Sequence, residues 1–323
     1  GEKHARVYRG LSGVSLAGVY DRESARARAV AERHGCAAFP SAEALLEACD
    51  AVSVAVPTVG HRAAAERALA AGRHVLVEKP MAATVEEADA LVAAARRSGA
   101  ILQVGQVERF NPALLAARPF VREPKFVEAH RLALFQPRAL DVDVVFDLMI
   151  HDLDAVLDMV GALPTSISAV GVAVLSENED IANARLEFPG GCVANLTASR
   201  VSQERLRRIR FFQADAYLSL DLFEKSAEIL RVDAAELRRL VAEGGGAVPA
   251  AIASGAIERA PLPVDAGEPL ALELEAFVRS LEGHGPGAAS AEAGRAALAV
   301  AAEVRSAMKR RARQWTIGAS AAS

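Results

Sequence analysis

Asp147 and His151 lie four residues apart, so on a helix they share one face. An imidazole with an ordinary pKa of about 6.5 can take a proton from a hydroxyl near neutral pH. A carboxylate one turn away can orient that ring or hold a second hydroxyl. Asp154 and Asp158 continue the stripe, with Met149, Leu153, Val156, Leu157 and Val160 roughly opposite. The alternative is a solvated acidic face on a core-packed helix. Lys79 follows the apolar run HVLV and Glu78, and precedes Pro80. An ammonium at a strand's carboxyl end can hydrogen-bond a substrate oxygen and stabilise negative charge growing on it. Desolvated beside a cation, its pKa falls and it becomes a proton relay; the alternative is a surface lysine before a turn. Asp21 ends the run VSLAGVYD. A carboxylate there can accept from both hydroxyls of a ribose and repels a 2′-phosphate, or it can simply cap the helix that starts at Arg22. Arg22 itself could accept a 2′-phosphate.

These residues need a scaffold, and the first hundred residues supply a pattern for one. Short apolar runs (VSLAGVYD, AVSVAV, HVLV, ILQVGQ) alternate with helix-like segments at 22–35, 58–72 and 84–99. Thr84 followed three residues later by Glu87 is a capping box. Fully apolar strands between helices imply a parallel sheet covered on both faces, with its ligand crevice at the strand carboxyl ends. Pro57, Thr58 and His61 follow AVSVAV at that end, with His61 equally readable as an ordinary first-turn residue. Arg109 and Asn111 follow ILQVGQ and could hold a substrate.

Past about residue 120 the period changes to two. In DIANARLEF, Ala182, Ala184, Leu186 and Phe188 share one face while Asn183, Arg185 and Glu187 share the other. A hairpin is expected at Gly190–Gly191, with further strands at 125–135, 166–175, 192–199, 206–212 and 216–223 and helices at 269–281 and 291–311. Residues 233–260 read as loop plus a short helix. This predicts an antiparallel sheet with one polar face. Residues 1–115 are therefore expected as one domain and residues 116–323 as a second, concerned with substrate binding and self-association. Arg131, Arg138 and Arg200 are weaker candidates for holding an anionic part of a substrate. Arg205, Arg207, Arg208 and Arg210 read as a solvated or interface edge of the sheet.

Composition narrows the function classes. The 323 residues carry 37 Lys+Arg against 41 Asp+Glu, a net charge of −4, with 52% hydrophobic residues. That excludes a disordered chain and argues against a nucleic-acid partner. Three scattered cysteines (Cys36, Cys49, Cys192) suggest neither a disulfide framework nor a zinc site. No apolar run is long enough for a membrane span and no signal-peptide pattern is read, so a cytoplasmic location is expected. No metal is expected: His-Asp-x-Asp has no further ligand cluster beside it.

The start of the chain carries its own expectation. A dinucleotide fold needs a glycine turn after its first strand and an acid about 20 residues on. Asp21 stands 20 residues after Gly1, so Gly1 reads as the last glycine of that turn, with 2–10 as the first helix. The first strand of the sheet is then expected to be absent, with Gly1 at the mouth of the crevice.

Glu78-Lys79-Pro80 directly after HVLV, with VPTVGH before and GQVERFNP after, resembles the Gfo/Idh/MocA oxidoreductases. Asp147-Leu148-Met149-Ile150-His151-Asp152 is similar to that family's D-x-x-x-H helix. The resemblance implies an NAD(P)-dependent dehydrogenase acting on a CH–OH group, with a Rossmann domain and a C-terminal α/β domain built on an open antiparallel sheet. It implies NAD as the cofactor, with NADP the alternative, held by Gly1, Asp21, Arg22, Pro57, Thr58, His61, Glu78, Lys79 and Pro80. Lys79, His151 and Asp147 are the implied catalytic residues; Arg109, Asn111 and Arg138 would bind substrate. ERFNP, DLMIHDLD, DIANARLEF and ANLTASR are similar to the sugar-nucleotide branch. That branch implies oxidation of a sugar hydroxyl to a ketone ahead of an aminotransferase, in supply of amide-linked lipid A, by a homodimer or homotetramer. The other readings are a dehydrogenase of a free sugar or polyol, a reductase of a keto sugar using NADPH, and a non-catalytic cofactor sensor on the same fold.

Overall fold

The structure, a computed structural model, describes residues 1–136, 142–242, 252–284, 287 and 289–321. The chain divides into two compact units, Gly1–Phe110 with Gly267–Ala299, and Asn111–Ala266 with Val300–Ser323. A single boundary near residue 115 therefore does not describe the chain, because Gly267–Ala299 returns to the first unit. The reason is apolar packing. Leu274 and Phe277 of that segment share a core with Val7 and Leu76.

The first unit alternates helix and strand in the expected order. Its elements are α1 (Glu2–Gly10), β1 (Gly18–Val19), α2 (Ser24–His34), β2 (Ala37–Ala38), α3 (Ala42–Glu47), β3 (Ala51–Val54), α4 (His61–Ala70), β4 (His74–Glu78), α5 (Val85–Ser98) and β5 (Leu102–Gly105). Strands β3, β4 and β5 pair in parallel, with Val54 opposite Val77 and Glu78 opposite Gly105. Most of their side chains are apolar because both sheet faces are covered; Val75, Leu76, Val77 and Val104 are at most 1% exposed. Strands β1 and β2 form a separate parallel pair. The start of α5 follows its sequence signature: Thr84 Oγ1 accepts from Glu87 N–H at 3.2 Å, and Glu87 Oε2 accepts from Ala83 N–H at 3.0 Å.

Helix Ala291–Ala321 begins against β5. A Cβ on Gly294 would overlap Val104 Cγ2 and lie 2.8 Å from Val104 Cβ. Glycine inside a helix normally costs about 1 kcal/mol relative to alanine, but here it lets the helix approach the sheet. Gly294→Ala is therefore expected to destabilise, by about 1–2 kcal/mol after its gain in helix propensity. Urea denaturation that shows equal or higher stability would refute the close-packing account.

The second unit is an eight-stranded sheet. Its strands are β6 (Phe126–Leu132), β7 (Ser166–Val172), β8 (Ile181–Glu187), β9 (Val193–Ser199), β10 (Leu206–Phe212), β11 (Ala216–Asp221), β12 (Ser226–Val232) and β13 (Ile257–Pro261), in the order β13-β12-β11-β10-β6-β9-β8-β7. Every pairing is antiparallel except β6 with β9. Ala182, Ala184 and Leu186 are buried while Asn183, Arg185 and Glu187 are exposed, as the alternation requires. Gly190 and Gly191 turn the β8–β9 hairpin with φ of 81° and 82°, a region open to glycine and costly for other residues. Helix α6 (Pro112–Ala117) packs on β11 and β12, and α7 (Ile150–Val160) on β6 and β9. Strands β12 and β13 fall where no strand was expected. The polar face is laced with ion pairs, among them Arg208–Asp221, Arg210–Glu128 and Arg259–Glu228. Strand β10 pairs on both sides, with β11 and β6, so the edge reading of Arg208 and Arg210 is corrected: they are half-buried, ion-paired residues on the face of an inner strand.

Candidate active site

Lys79 sits directly past β4, at the carboxyl end of the parallel strands, and is half-buried. Its two sequence neighbours are fixed by buried histidines. His4 of α1 places Nε2 2.8 Å from Glu78 Oε1. Glu78 Oε2 accepts from the Lys79 backbone N–H at 3.3 Å. Burial acts to raise the Glu78 carboxyl, but the His4 hydrogen bond, the Lys79 N–H and the Lys79 charge outweigh it and hold it below its ordinary value. Gly105 makes room for this carboxylate; a Cβ there would come within 3.3 Å of Glu78 Oε2.

On the other side, His61 places Nδ1 2.9 Å from the Pro80 carbonyl oxygen and Nε2 2.9 Å from the Val56 carbonyl oxygen. The ring is 1% exposed. Both nitrogens therefore face the chain itself, and the expectation that His61 touches a cofactor is corrected: it braces two loops. Pro57 is exposed and Thr58 half-buried, opening a short 3₁₀ turn ahead of α4.

Asp21 lies just past β1 and is half-buried. Its Oδ1 accepts from Glu23 N–H at 2.8 Å, and Oδ2 lies 3.4 Å from Arg26 Nη1. The turn-forming role is thus present, with one carboxylate oxygen held at the helix start. Arg22 is exposed. Gly1 is the N-cap of α1, and a Cβ there would meet nothing within 4 Å. Carboxyl ends of parallel strands, a carboxylate past β1 and a helix start at Gly1 form a donor set that fits a dinucleotide.

Asp147 and His151 lie in the second unit. Asp147 belongs to a π-helical turn, Val145–Met149, that runs straight into α7. Such turns add a residue to the helix and occur frequently at functional sites. Asp143 starts the turn: its Oδ1 accepts from Val145 and Phe146 N–H at 3.0 and 3.2 Å, and burial raises its carboxyl. Between Ile150 and Leu157, His151 is the one residue not buried. Asp147 is also half-buried. Asp154, expected on a solvated stripe, is 1% exposed, because α7 is covered on most sides. Asp158 pairs with Arg118 at 2.5 Å near the surface.

Several candidate ligands serve the fold instead. Asn111 is 4% exposed; its Oδ1 accepts from Ala113 N–H at 3.1 Å, capping α6, and its Nδ2 donates to the Leu222 carbonyl at 2.9 Å. A substrate role for Asn111 is corrected to a helix cap. Arg131 is held by both oxygens of Asp152, at 2.9 and 2.8 Å, with both side chains buried. Arg200 donates to Asp180 Oδ1 at 2.8 Å and to the Val142 carbonyl at 2.8 Å. Burial opposes ionisation of Asp180, but the Leu175 and Val174 N–H groups, Arg200 and Ser176 outweigh it and hold the carboxyl far below its ordinary value. Arg109 follows β5 within the turn Val107–Phe110. Arg138 lies outside the described residues. The buried acids Glu108 and Glu273 and the histidine His4 were given no role from sequence; the half-buried Glu78 beside Lys79 is the signal that leads to His4. Among the described residues no group of three His, Cys, Asp or Glu could hold a metal ion, and no helix is long and apolar enough to cross a membrane.

A Rossmann-type unit carrying a lysine at its strand ends, joined in one chain to a mixed-sheet unit carrying an Asp/His helix, defines an oxidoreductase class. The family models agree. Residues 1–106 match the Gfo/Idh/MocA oxidoreductase family's NAD-binding Rossmann fold, and residues 119–218 match its C-terminal domain. The chain belongs to the Gfo/Idh/MocA family of oxidoreductases. It is 41% identical over 312 residues to UDP-N-acetylglucosamine 3-dehydrogenase of Acidithiobacillus ferrooxidans, covering 96% of this chain and 94% of that one. A solved structure of that enzyme superposes with a TM-score of 0.85 at 38% identity, again covering 96% and 94% of the two chains. A more distant relative is dTDP-3,4-didehydro-2,6-dideoxy-alpha-D-glucose 3-reductase of Streptomyces violaceoruber, 35% identical over 159 residues, or 47% of this chain and 45% of that one.

Proposed function

We propose that this enzyme oxidises a sugar-nucleotide hydroxyl, C3 of UDP-N-acetylglucosamine, to a ketone with NAD. The similarity to UDP-N-acetylglucosamine 3-dehydrogenase runs through both units at 41% identity, and that observation carries the reading. NAD, when bound, supplies the hydride acceptor. Gly1, Asp21, Pro57 and Thr58 would hold it, with the Asp21 carboxylate exchanging its long contact to Arg26 for the ribose. The Lys79 ammonium hydrogen-bonds the substrate oxygen and stabilises the charge it gains. His151 takes the hydroxyl proton as general base, and Asp147 holds a neighbouring hydroxyl or the ring. Arg109 and Arg138 are the candidate hands for the diphosphate. The enzyme works in the cytoplasm as a homodimer or homotetramer; light scattering tests the assembly.

The decisive assay follows NADH absorbance with UDP-N-acetylglucosamine against free sugars and polyols. Turnover with a free sugar or polyol and none with the nucleotide sugar would move the enzyme to the polyol reading. The exposed Arg22 beside Asp21 and the 35%-identical reductase favour one second reading, keto-sugar reduction with NADPH. Comparing affinities for NAD and NADP separates the two.

A further inference from the structure

Lys79 is flanked by two residues, and each is gripped by a buried histidine from a different helix. On the amino side, Glu78 is held by His4 of α1, Nε2 to Oε1 at 2.8 Å, and its second oxygen accepts from the Lys79 N–H at 3.3 Å. On the carboxyl side, the Pro80 carbonyl is 2.9 Å from His61 Nδ1, and the same ring lies 2.9 Å from the Val56 carbonyl past the neighbouring strand β3. His4 is 5% and His61 1% exposed. His4 Nδ1 is buried with no hydrogen-bond partner, so the ring's polar reach is spent on Glu78. Apolar side chains of similar volume would fill both places without a polar atom to satisfy. Two buried histidines, each with one nitrogen turned on the same tripeptide, mark a specific geometric demand there.

We propose that His4 and His61 form a clamp that positions Lys79, each acting through the residue next to it in the chain. His61 sits between the turn after β4 and the loop after β3, and a neutral ring donates to one of the two carbonyls it faces. His4 ties Glu78 to the first helix. Together they fix the backbone from which the Lys79 side chain departs. A displacement of about 1 Å at a reacting group can cost about a hundredfold in rate, so a backbone held from both sides has a direct kinetic consequence. The proposal rests on the reading of Lys79 as the residue that meets the substrate oxygen.

The test is a set of double-mutant cycles in the intact enzyme, with kcat, KM and NADH affinity measured for each variant. His4→Phe and His61→Phe keep ring volume and remove the polar atoms. Each is expected to lower kcat about ten- to a hundredfold while NADH affinity and KM change little. His4→Gln, which keeps an N–H toward Glu78, should recover most of the His4→Phe loss. In a Lys79→Ala background both phenylalanine substitutions should cost nothing further, since they act through that lysine. Equal losses with and without Lys79, or weakened NADH binding at unchanged kcat, would overturn the clamp. If His61→Phe fails to fold, the His4 pair decides alone. Failure of the underlying reading looks different: Lys79→Ala alone would then leave kcat unchanged.

Discussion

Lys79→Ala is expected to lower kcat by about a thousandfold while NADH binding and thermal stability stay near those of the parent. Removing one preorganised donor to a developing oxyanion typically costs about 10²–10³ in kcat, and loss of any proton-relay role adds to that. Stability should hold because the lysine lies past the end of β4 and is half-buried, with no large apolar volume removed from the core. Lys79→Arg should not rescue. A guanidinium is planar, is broader than an ammonium and does not release its proton near neutral pH. His151→Asn is expected to lower kcat as well, but with the low-pH limb of the rate profile flattened, since the group whose deprotonation that limb reports is gone. The Gfo/Idh/MocA fold by itself does not guarantee catalysis. A Lys79→Ala enzyme with unchanged kcat would remove the lysine from the chemistry and revive the cofactor-sensing alternative.

What was legible in the sequence was local. The strand Leu206–Phe212 and the helix Pro269–Leu281 have the expected bounds, because an apolar period and a proline at a helix start are written in consecutive residues. Thr84, Gly99 and Gly190–Gly191 do what capping and turn chemistry demand. The family motifs, Glu78-Lys79-Pro80 and the Asp147–His151 helix, were equally legible as contiguous strings. What was not legible depends on partners far along the chain. β12 and β13 pair across a segment read as loop. The return of Gly267–Ala299 to the first unit is fixed by Leu274 and Phe277 meeting Leu76. Asn111 carried a readable signal, an N-cap residue followed by proline at the first helical position. The ion-pair partner of an arginine had no such signal: Arg131 and Arg200 lie on polar-looking positions yet are buried against Asp152 and Asp180.

That buried pair sets the second large effect, on stability rather than chemistry. Asp152→Ala is expected to destabilise the protein by about 3–5 kcal/mol, because it takes a bidentate carboxylate away from a buried guanidinium. Both side chains are at most 4% exposed, and the carboxylate accepts two hydrogen bonds from Arg131 at 2.9 and 2.8 Å. A loss of that size is a large part of a typical total of about 5–15 kcal/mol, and should lower Tm by on the order of 10 °C. The charge, not the contact, is the cause, and a second variant separates the two. Arg131→Met with Asp152→Leu removes both ions and fills the space, so it should cost far less than either single change. Asp152 is adjacent to His151 in the chain, and Arg131 anchors that part of α7 to β6. The double variant should therefore fold well yet show a reduced kcat, as the imidazole loses a fixed support. Thermal unfolding of the three variants decides the matter. An Asp152→Ala protein as stable as the parent would mean that the pair contributes no net stability, and that the burial of Arg131 is sustained by other groups.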